Sequence, residues 1–476
     1  MRDKAASGLA WTAFEKVGQQ VVQFVIGIII ARILSPEDFG IVGMTAIFIA
    51  IANSVVESGF GSALIQKKEK TEADYSTCFY FNIIVGVALY GLLWVAAPWI
   101  ATFYRTPILT DVVRVLGLSF IINSLSISQT ARMTSELRFR QMSVVTIVAQ
   151  LATGGLGLVM ALSGWGVWSL VFQQVASCAL RLVGMEVCLR WFPRLVFSRE
   201  SFRHLFGFGS KILCSSIINT VYNNLYTLVI GRAFSASDVG YFNRANQTAQ
   251  LPTLSISQVV MKVAYPLMAQ VQDDEERLRA AYMKFLRLQL FALFPILLGL
   301  AALAEPLVLV LLGEKWLPAV PLLQVLCLGS LFDPLTVINL NILYVKGRTD
   351  LVLRLELIKK PIGFTILFIS LHFGLMWLCA GRALYCLIAY AFNCYYTGRF
   401  IGEGFWCQMV VILPVLARSV AMAALCFGAC MVLDNPWAQL FAGAAVGIAA
   451  YLAMARLAKD DVLADGVDFL KQRFSR

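Results

Sequence analysis

IARILSPEDFG, residues 30–40, returns as IGRAFSASDVG at residues 230–240. Ile30/Ile230, Arg32/Arg232, Ser35/Ser235, Asp38/Asp238 and Gly40/Gly240 coincide without a gap. In both copies an apolar run ends at a short break with turn chemistry. The register also holds upstream of the run. Glu15, Gln19 and Gln23 are spaced by four and share one helix face, and Ser215, Asn219 and Asn223 occupy the matching positions. Lys211 and Tyr226 extend the second stripe in both directions. A match in an apolar run, its turn and its polar face together indicates an internal duplication.

The surroundings of the duplicated segment define its solvent. Of the 476 residues, 59% are hydrophobic and 14% charged, against about 25% charged in a soluble domain. Apolar runs of about 20 residues, each long enough to cross ~30 Å of hydrocarbon, recur from end to end. Backbone groups in lipid must be satisfied internally, so runs of this length mean α-helices. The expected fold is therefore an all-α integral membrane protein. Fourteen spans are expected, roughly 9–34, 40–63, 76–102, 111–134, 141–163, 166–190, 207–233, 241–268, 285–312, 318–345, 351–371, 375–399, 408–433 and 437–457. No cleavable signal peptide is expected, because the first residues run straight into a polar-striped helix.

The repeat offset contains six spans, an even number, so both copies enter the membrane from the same side. This describes a parallel repeat with its axis along the membrane normal. The expected division is an N-terminal six-helix lobe (1–191), an interfacial linker (192–206), a second six-helix lobe (207–400), two further helices (401–457) and a tail (458–476). The stretch RLVFSRESFRHLF, 194–206, mixes basic and aromatic residues and reads as a helix in the headgroup region.

The 39 Lys and Arg residues fall mostly in one alternate set of loops, including the segments 190–211, 277–287 and 346–360. The opposite set holds Arg32, Arg105, Arg114, Arg232, Arg244 and Lys315. The basic set should face the cytoplasm, which places both termini inside. The net charge of +11 is thus mainly a topology signal. Dispersal over many short loops argues against nucleic-acid binding. The cysteines are scattered without a CxxC pair, and the two histidines are far apart, so no metal site is expected.

Charges inside spans cost at least ~2.5–3.5 kcal/mol on insertion scales, so they usually face a bundle interior or a wet cavity. Arg32, Arg114, Arg232 and Arg244 are the candidates for an anionic ligand, with Lys16 and Lys211 nearer the inner mouth. Each also has a plainer reading, in which its stem snorkels to headgroups. Asn219, Asn223 and Asn246 are candidates for hydroxyl-rich groups. Arg181, Arg382 and Arg418 also lie inside spans, the last two as candidate structural pair partners. Glu57, which shares a face with Asn53, and Asp333, which precedes Pro334 in the tenth span, are candidates for ion coupling or for structural pairing. A cavity lined by Arg, Lys, Asn and Gln suits an anionic, hydroxyl-rich head group, because Arg presents a fork of donors matched to phosphate oxygens. That chemistry describes a lipid-linked oligosaccharide.

The strings ARILSPEDFGIVGM, ESGFGSALIQKKEKTEADYST, YFNIIVG, RVLGLSFIINSLS, FGFGSK, YTLVIGRAFSASDVGYFNRANQ, QDDEERLRAAYMKFLR and LAEPLVLVLLGEKWLPAVPLLQ resemble the polysaccharide transporter family. These are Wzx-type oligosaccharide flippases of the multidrug/oligosaccharidyl-lipid/polysaccharide flippase superfamily, here nearest the lipopolysaccharide, colanic-acid and teichuronic-acid exporters. The likeness is good over residues ~5–400 and rests on hydropathy beyond. It implies two six-helix lobes around a V-shaped central cavity, in the bacterial cytoplasmic (inner) membrane. The implied activity carries undecaprenyl-diphosphate-linked repeat units from the cytoplasmic to the outer leaflet by alternating access. It further implies coupling to an ion gradient, H+ or Na+, with no other cofactor. Membrane lipids and the polysaccharide polymerase with its chain-length machinery are the implied partners.

Other readings are a drug/cation antiporter of the same fold, a peptidoglycan-precursor flippase, a channel, or a membrane polymerase or glycosyltransferase. A cationic drug prefers carboxylates and aromatics, which the basic bias does not favour. An enzyme of the last class commonly presents its catalytic groups on long outer loops, and every outer loop here is short. GFGSK lacks the spacing of a phosphate loop.

Overall fold

A computed structural model describes residues 2–57, 63–64, 67 and 70–464, with side chains outside 2–17, 57, 200, 204–205, 207–212 and 214–215. Among the described residues every regular element is helical: α1 (Arg2–Ile33), α2 (Pro36–Glu57), α3 (Glu72–Tyr104), α4 (Leu109–Ser135), α5 (Phe139–Leu162), α6 (Val167–Leu189), α7 (Arg199–Ala233), α8 (Ala236–Gln270), α9 (Glu275–Ala302), α10 (Ala304–Leu311), a 3₁₀ turn (Glu314–Trp316), α11 (Ala319–Ser330), α12 (Asp333–Val345), α13 (Thr349–Leu371), α14 (Leu375–Ile401), α15 (Phe405–Met431) and α16 (Pro436–Leu457). Ten of these segments, with α11 and α12 counted as one, are long and apolar enough to cross a membrane. The other four expected spans fall in α1, α7, α8 and α13, all helical, with Gly18–Ile33 of α1 a shorter apolar stretch among the described residues.

The duplicated turn is the same local structure twice. Ser35 Oγ donates to Asp38 Oδ2 at 2.6 Å and accepts from the Asp38 backbone N–H at 3.2 Å, while the Ser35 N–H donates to Asp38 Oδ2 at 2.9 Å. Ser235 and Asp238 make the same three bonds at 2.7, 3.1 and 3.0 Å. Each is a reciprocal cap that satisfies the first donors of α2 or α8. The two turns also meet. A Cβ on Gly40 would fall inside the carbonyl oxygen of Ala236, and one on Gly240 inside that of Pro36. Residue 40 thus meets residue 236 as residue 240 meets residue 36. That exchange is the mark of a local twofold, and all four residues lie in the first compact unit.

That unit is Met1–Gly240, and the second is Tyr241–Arg476. In the first, α3 and α4 form a hairpin, α1 packs on α5, α5 and α4 pack on α6, and α7 packs on α2 and α3. The boundary therefore falls later than the division at 207 expected from the repeat, and the helix holding 207–233 packs within the first unit. The expected interfacial helix at 194–206 is corrected as well. Residues 190–198 form no helix, with Arg190 left-handed, and α7 runs unbroken from Arg199, capped by Ser198 Oγ. Hydroxyls on α3 hold this segment: Ser76 accepts from the Arg194 N–H at 3.0 Å and Thr77 from the Ser198 N–H at 2.9 Å. Arg132 fastens the same region, lying over Tyr75 and Trp191 and pairing with Glu72 at 2.9 Å, which also accepts from Trp191 Nε1 at 2.8 Å.

In the second unit, α14 packs on α11, α12 and α13, α9 on α15, and α15 on α16. The expected break before Pro334 is present, with α12 starting at Asp333 and Pro334 in its first turn, where a missing N–H costs nothing. The 346–360 segment was expected as a loop, but α13 starts at Thr349. Lys359 is buried in it, pairing with Glu356 at 2.7 Å and donating to Asn393 at 3.2 Å. Residues 277–287 likewise belong to α9.

Gln408 organises a buried polar knot. It accepts from Tyr390 Oη at 2.8 Å and donates to Asn339 at 3.0 Å and to the Glu403 carbonyl at 2.8 Å, while Asn339 also accepts from Tyr282 Oη at 3.0 Å. Gln408→Ala strands several of these groups, each at ~1–3 kcal/mol. The thermal midpoint of the purified protein should fall by several degrees, whereas Gln408→Glu should fall less.

Candidate functional site

Exposed amides on otherwise apolar helices are the first candidates for a site. Gln23 on α1, Asn219 and Asn223 on α7 and Gln247 on α8 are exposed. Gln23 lies ten residues before the end of α1 at Ile33, and Asn223 ten before the end of α7 at Ala233. At 1.5 Å per residue both sit ~15 Å from the C-terminal ends of their helices, half the thickness of a ~30 Å core. An exposed amide at that depth is stable only against water or a polar ligand.

The four predicted arginines stand on four different helices. Arg32 and Arg232 are exposed in the last turns of α1 and α7, and Arg232 lies over the Phe103 ring at 5.4 Å. Arg114 on α4 is stacked 4.1 Å from the Trp94 ring of α3, and its Nε is buried with no hydrogen-bond partner. Arg244 on α8 lies 5.7 Å from the Trp316 ring. Stacking of this kind contributes ~0.5–1 kcal/mol at exposed sites and fixes the guanidinium plane. Lys16, Lys211 and the Glu57 side chain lie outside the described residues.

Each unit also holds an arginine within a helix, α6 or α14, bound to asparagine. In the first, Arg181 of α6 donates to Asn123 of α4 at 3.4 Å, and Asn123 donates to Asn53 of α2 at 3.2 Å. In the second, Arg382 of α14 donates to Asn246 of α8 at 2.7 Å. Asp333, at the start of α12, and Arg382 flank the Cys386 thiol. Arg181 is seven residues further into its helix than Arg382, and Asn53 seven further into α2 than Asn246 into α8. Arg418 pairs with Asp460 at 2.6 Å, as expected of a structural partner. Sequence reasoning named Arg181 and Asn53 but not Asn123 as their link. Its signal was an asparagine among the serines of RVLGLSFIINSLS.

The arrangement offers guanidinium donors and amides, and among the described residues no group of three or more His, Cys, Asp or Glu is placed to hold a metal. The fold is that of a lipid II flippase, MurJ, in an inward closed conformation. The two superpose with a TM-score of 0.75 at 13% identity, over 95% of this chain and 99% of that one. In sequence, the chain is 28% identical to the succinoglycan biosynthesis transport protein ExoT of Rhizobium meliloti (strain 1021), over 98% of this chain and 96% of the relative. It is 27% identical to the lipopolysaccharide biosynthesis protein WzxC of Escherichia coli (strain K12), over 75% of this chain and 73% of the relative. The profile of the family described as "Polysaccharide biosynthesis protein" matches residues 29–321. With more than half its length matched, this multi-pass membrane chain belongs to the polysaccharide biosynthesis protein family of Wzx-type transporters.

Proposed function

We propose that the protein flips undecaprenyl-diphosphate-linked oligosaccharide repeat units from the cytoplasmic to the outer leaflet of the bacterial inner membrane, by alternating access, for surface polysaccharide assembly. The observation that carries this reading is the pair of exposed amides, Gln23 and Asn223, at matching midplane depth on duplicated helices. Amides bond sugar hydroxyls, and the exposed Arg32 and Arg232 above them offer forked donors to a diphosphate. Relatives named for succinoglycan transport and lipopolysaccharide biosynthesis support a glycan cargo. The excess of Lys and Arg in alternate loops supports cytoplasmic termini. Coupling to H+ or Na+, and hand-over to a polymerase and its chain-length machinery, belong to the same reading.

Deletion in the native host tests it. Surface polysaccharide should be lost and lipid-linked repeat units should build up on the inner face, both reversed by the plasmid-borne gene. A deletion strain with normal surface glycan and no such build-up overturns the reading.

A further inference from the structure

Two oxygens in the first unit accept nothing. Gln129 of α4 is 3% exposed, and its amide nitrogen donates to Glu186 Oε2 of α6 at 3.2 Å. The other oxygen of each side chain, Gln129 Oε1 and Glu186 Oε1, is buried without a partner. Among the described residues Glu186 has no ion pair, so the pair is one carboxylate and one amide oxygen with no donor between them.

Three arginines of α4, α6 and the turn before α5 are committed elsewhere. On α4, Arg132 pairs with Glu72 at 2.9 Å and Glu136 at 3.0 Å. Arg138, before α5, pairs with Glu136 at 2.6 Å and donates to the Cys188 carbonyl at 3.4 Å. On α6 itself, Arg181 turns to Asn123, which leads to Asn53 of α2. The Arg190 backbone N–H closes on the Glu186 carbonyl at 2.7 Å. Beside Gln129, the Thr130 hydroxyl is taken by the Ser126 carbonyl at 2.8 Å and reaches the Met185 sulfur at 3.5 Å.

A water at either oxygen would supply a donor but no positive charge. A cation answers both needs. Glu186 is half-buried, but its Oε1 is sealed from solvent without a partner, and a buried polar atom left unsatisfied requires an occupant or a role. We propose that Glu186 and Gln129 form a monovalent-cation site, for a proton or a sodium ion, whose occupancy couples the gradient to export. This rests on the flippase reading for its purpose, though not for its chemistry. The site is distinct from Glu57 and Asp333, the carboxylates the sequence singles out.

The test uses the full chain in lipid nanodiscs and reads the thermal midpoint. One titration adds NaCl against choline chloride at fixed pH, and the other lowers pH without sodium. Wild type should show a saturable upward shift in one titration, which identifies the ion. Glu186→Gln should lose that shift, Glu186→Asp should keep it with an altered midpoint, and Asp111→Asn, at an exposed position on α4, should leave it unchanged. A Glu186→Gln protein that folds and keeps the wild-type response overturns the site, as does a wild type silent in both titrations. If the cation response vanishes in Glu186→Gln while the wild-type gene fails to restore glycan export to the deletion strain, the site stands and the flippase reading falls.

Discussion

Gly40→Ala should abolish export and lower the yield of folded protein, and Gly240→Ala should do the same. In both positions the added methyl would occupy the space of a backbone carbonyl, that of Ala236 or of Pro36. A flexible side chain could rotate away, but a carbonyl held in the first turn of a capped helix cannot. The α2 and α8 turns would have to separate, breaking the Ser–Asp caps or the contacts of α7 with α2. Overpacking typically costs ~1–3 kcal/mol and more where backbone must move, so a loss above ~3 kcal/mol is expected here. Gly91→Ala and Gly155→Ala provide the opposite sign. A Cβ at either position meets nothing within 4 Å, and replacing a mid-helix glycine should stabilise by ~0.5–1 kcal/mol. Thermal midpoints in detergent and surface glycan in complemented deletion strains separate the two pairs. Wild-type export by Gly40→Ala would show that the two turns can part freely.

The duplicated turn was legible in the sequence because its chemistry is local: Ser and Asp three residues apart carry their own hydrogen bonds, and the spacing survives duplication. The 192–206 segment misled for the opposite reason. Its mixture of Phe and Arg has the composition of an interfacial helix, whereas partners on α3 more than a hundred residues away, Ser76 and Thr77 among them, hold residues 190–198 out of a helix. Lys359 was counted with a loop because its charge was visible while its partners, Glu356 and Asn393, could only be paired once α13 and α14 were placed. The stack of Arg114 on Trp94 is likewise a cross-hairpin contact that no periodicity records. Charges that act through distant partners are the part of the site that sequence alone leaves open, whereas the polar stripes of α1 and α7 were readable because they repeat.

Those stripes lead to the second large effect. The double variant Gln23→Leu with Asn223→Leu should keep the protein in the membrane and reduce export more than tenfold. Leu is among the most readily inserted residues and Gln and Asn are not, so if the two side chains faced lipid the change would help folding and leave transport intact. If instead they meet the cargo, each substitution removes hydrogen bonds to sugar hydroxyls or phosphate, worth ~1.5–3 kcal/mol when the partner is charged. Every ~1.4 kcal/mol is a factor of ten, so the pair together suffices for that loss. Membrane abundance, thermal midpoint and surface glycan measured on one set of strains discriminate the two cases. Equal or raised abundance with collapsed export places the amides in a water-filled path. Raised abundance with undiminished export would put them against lipid and remove the observation on which the flippase reading stands.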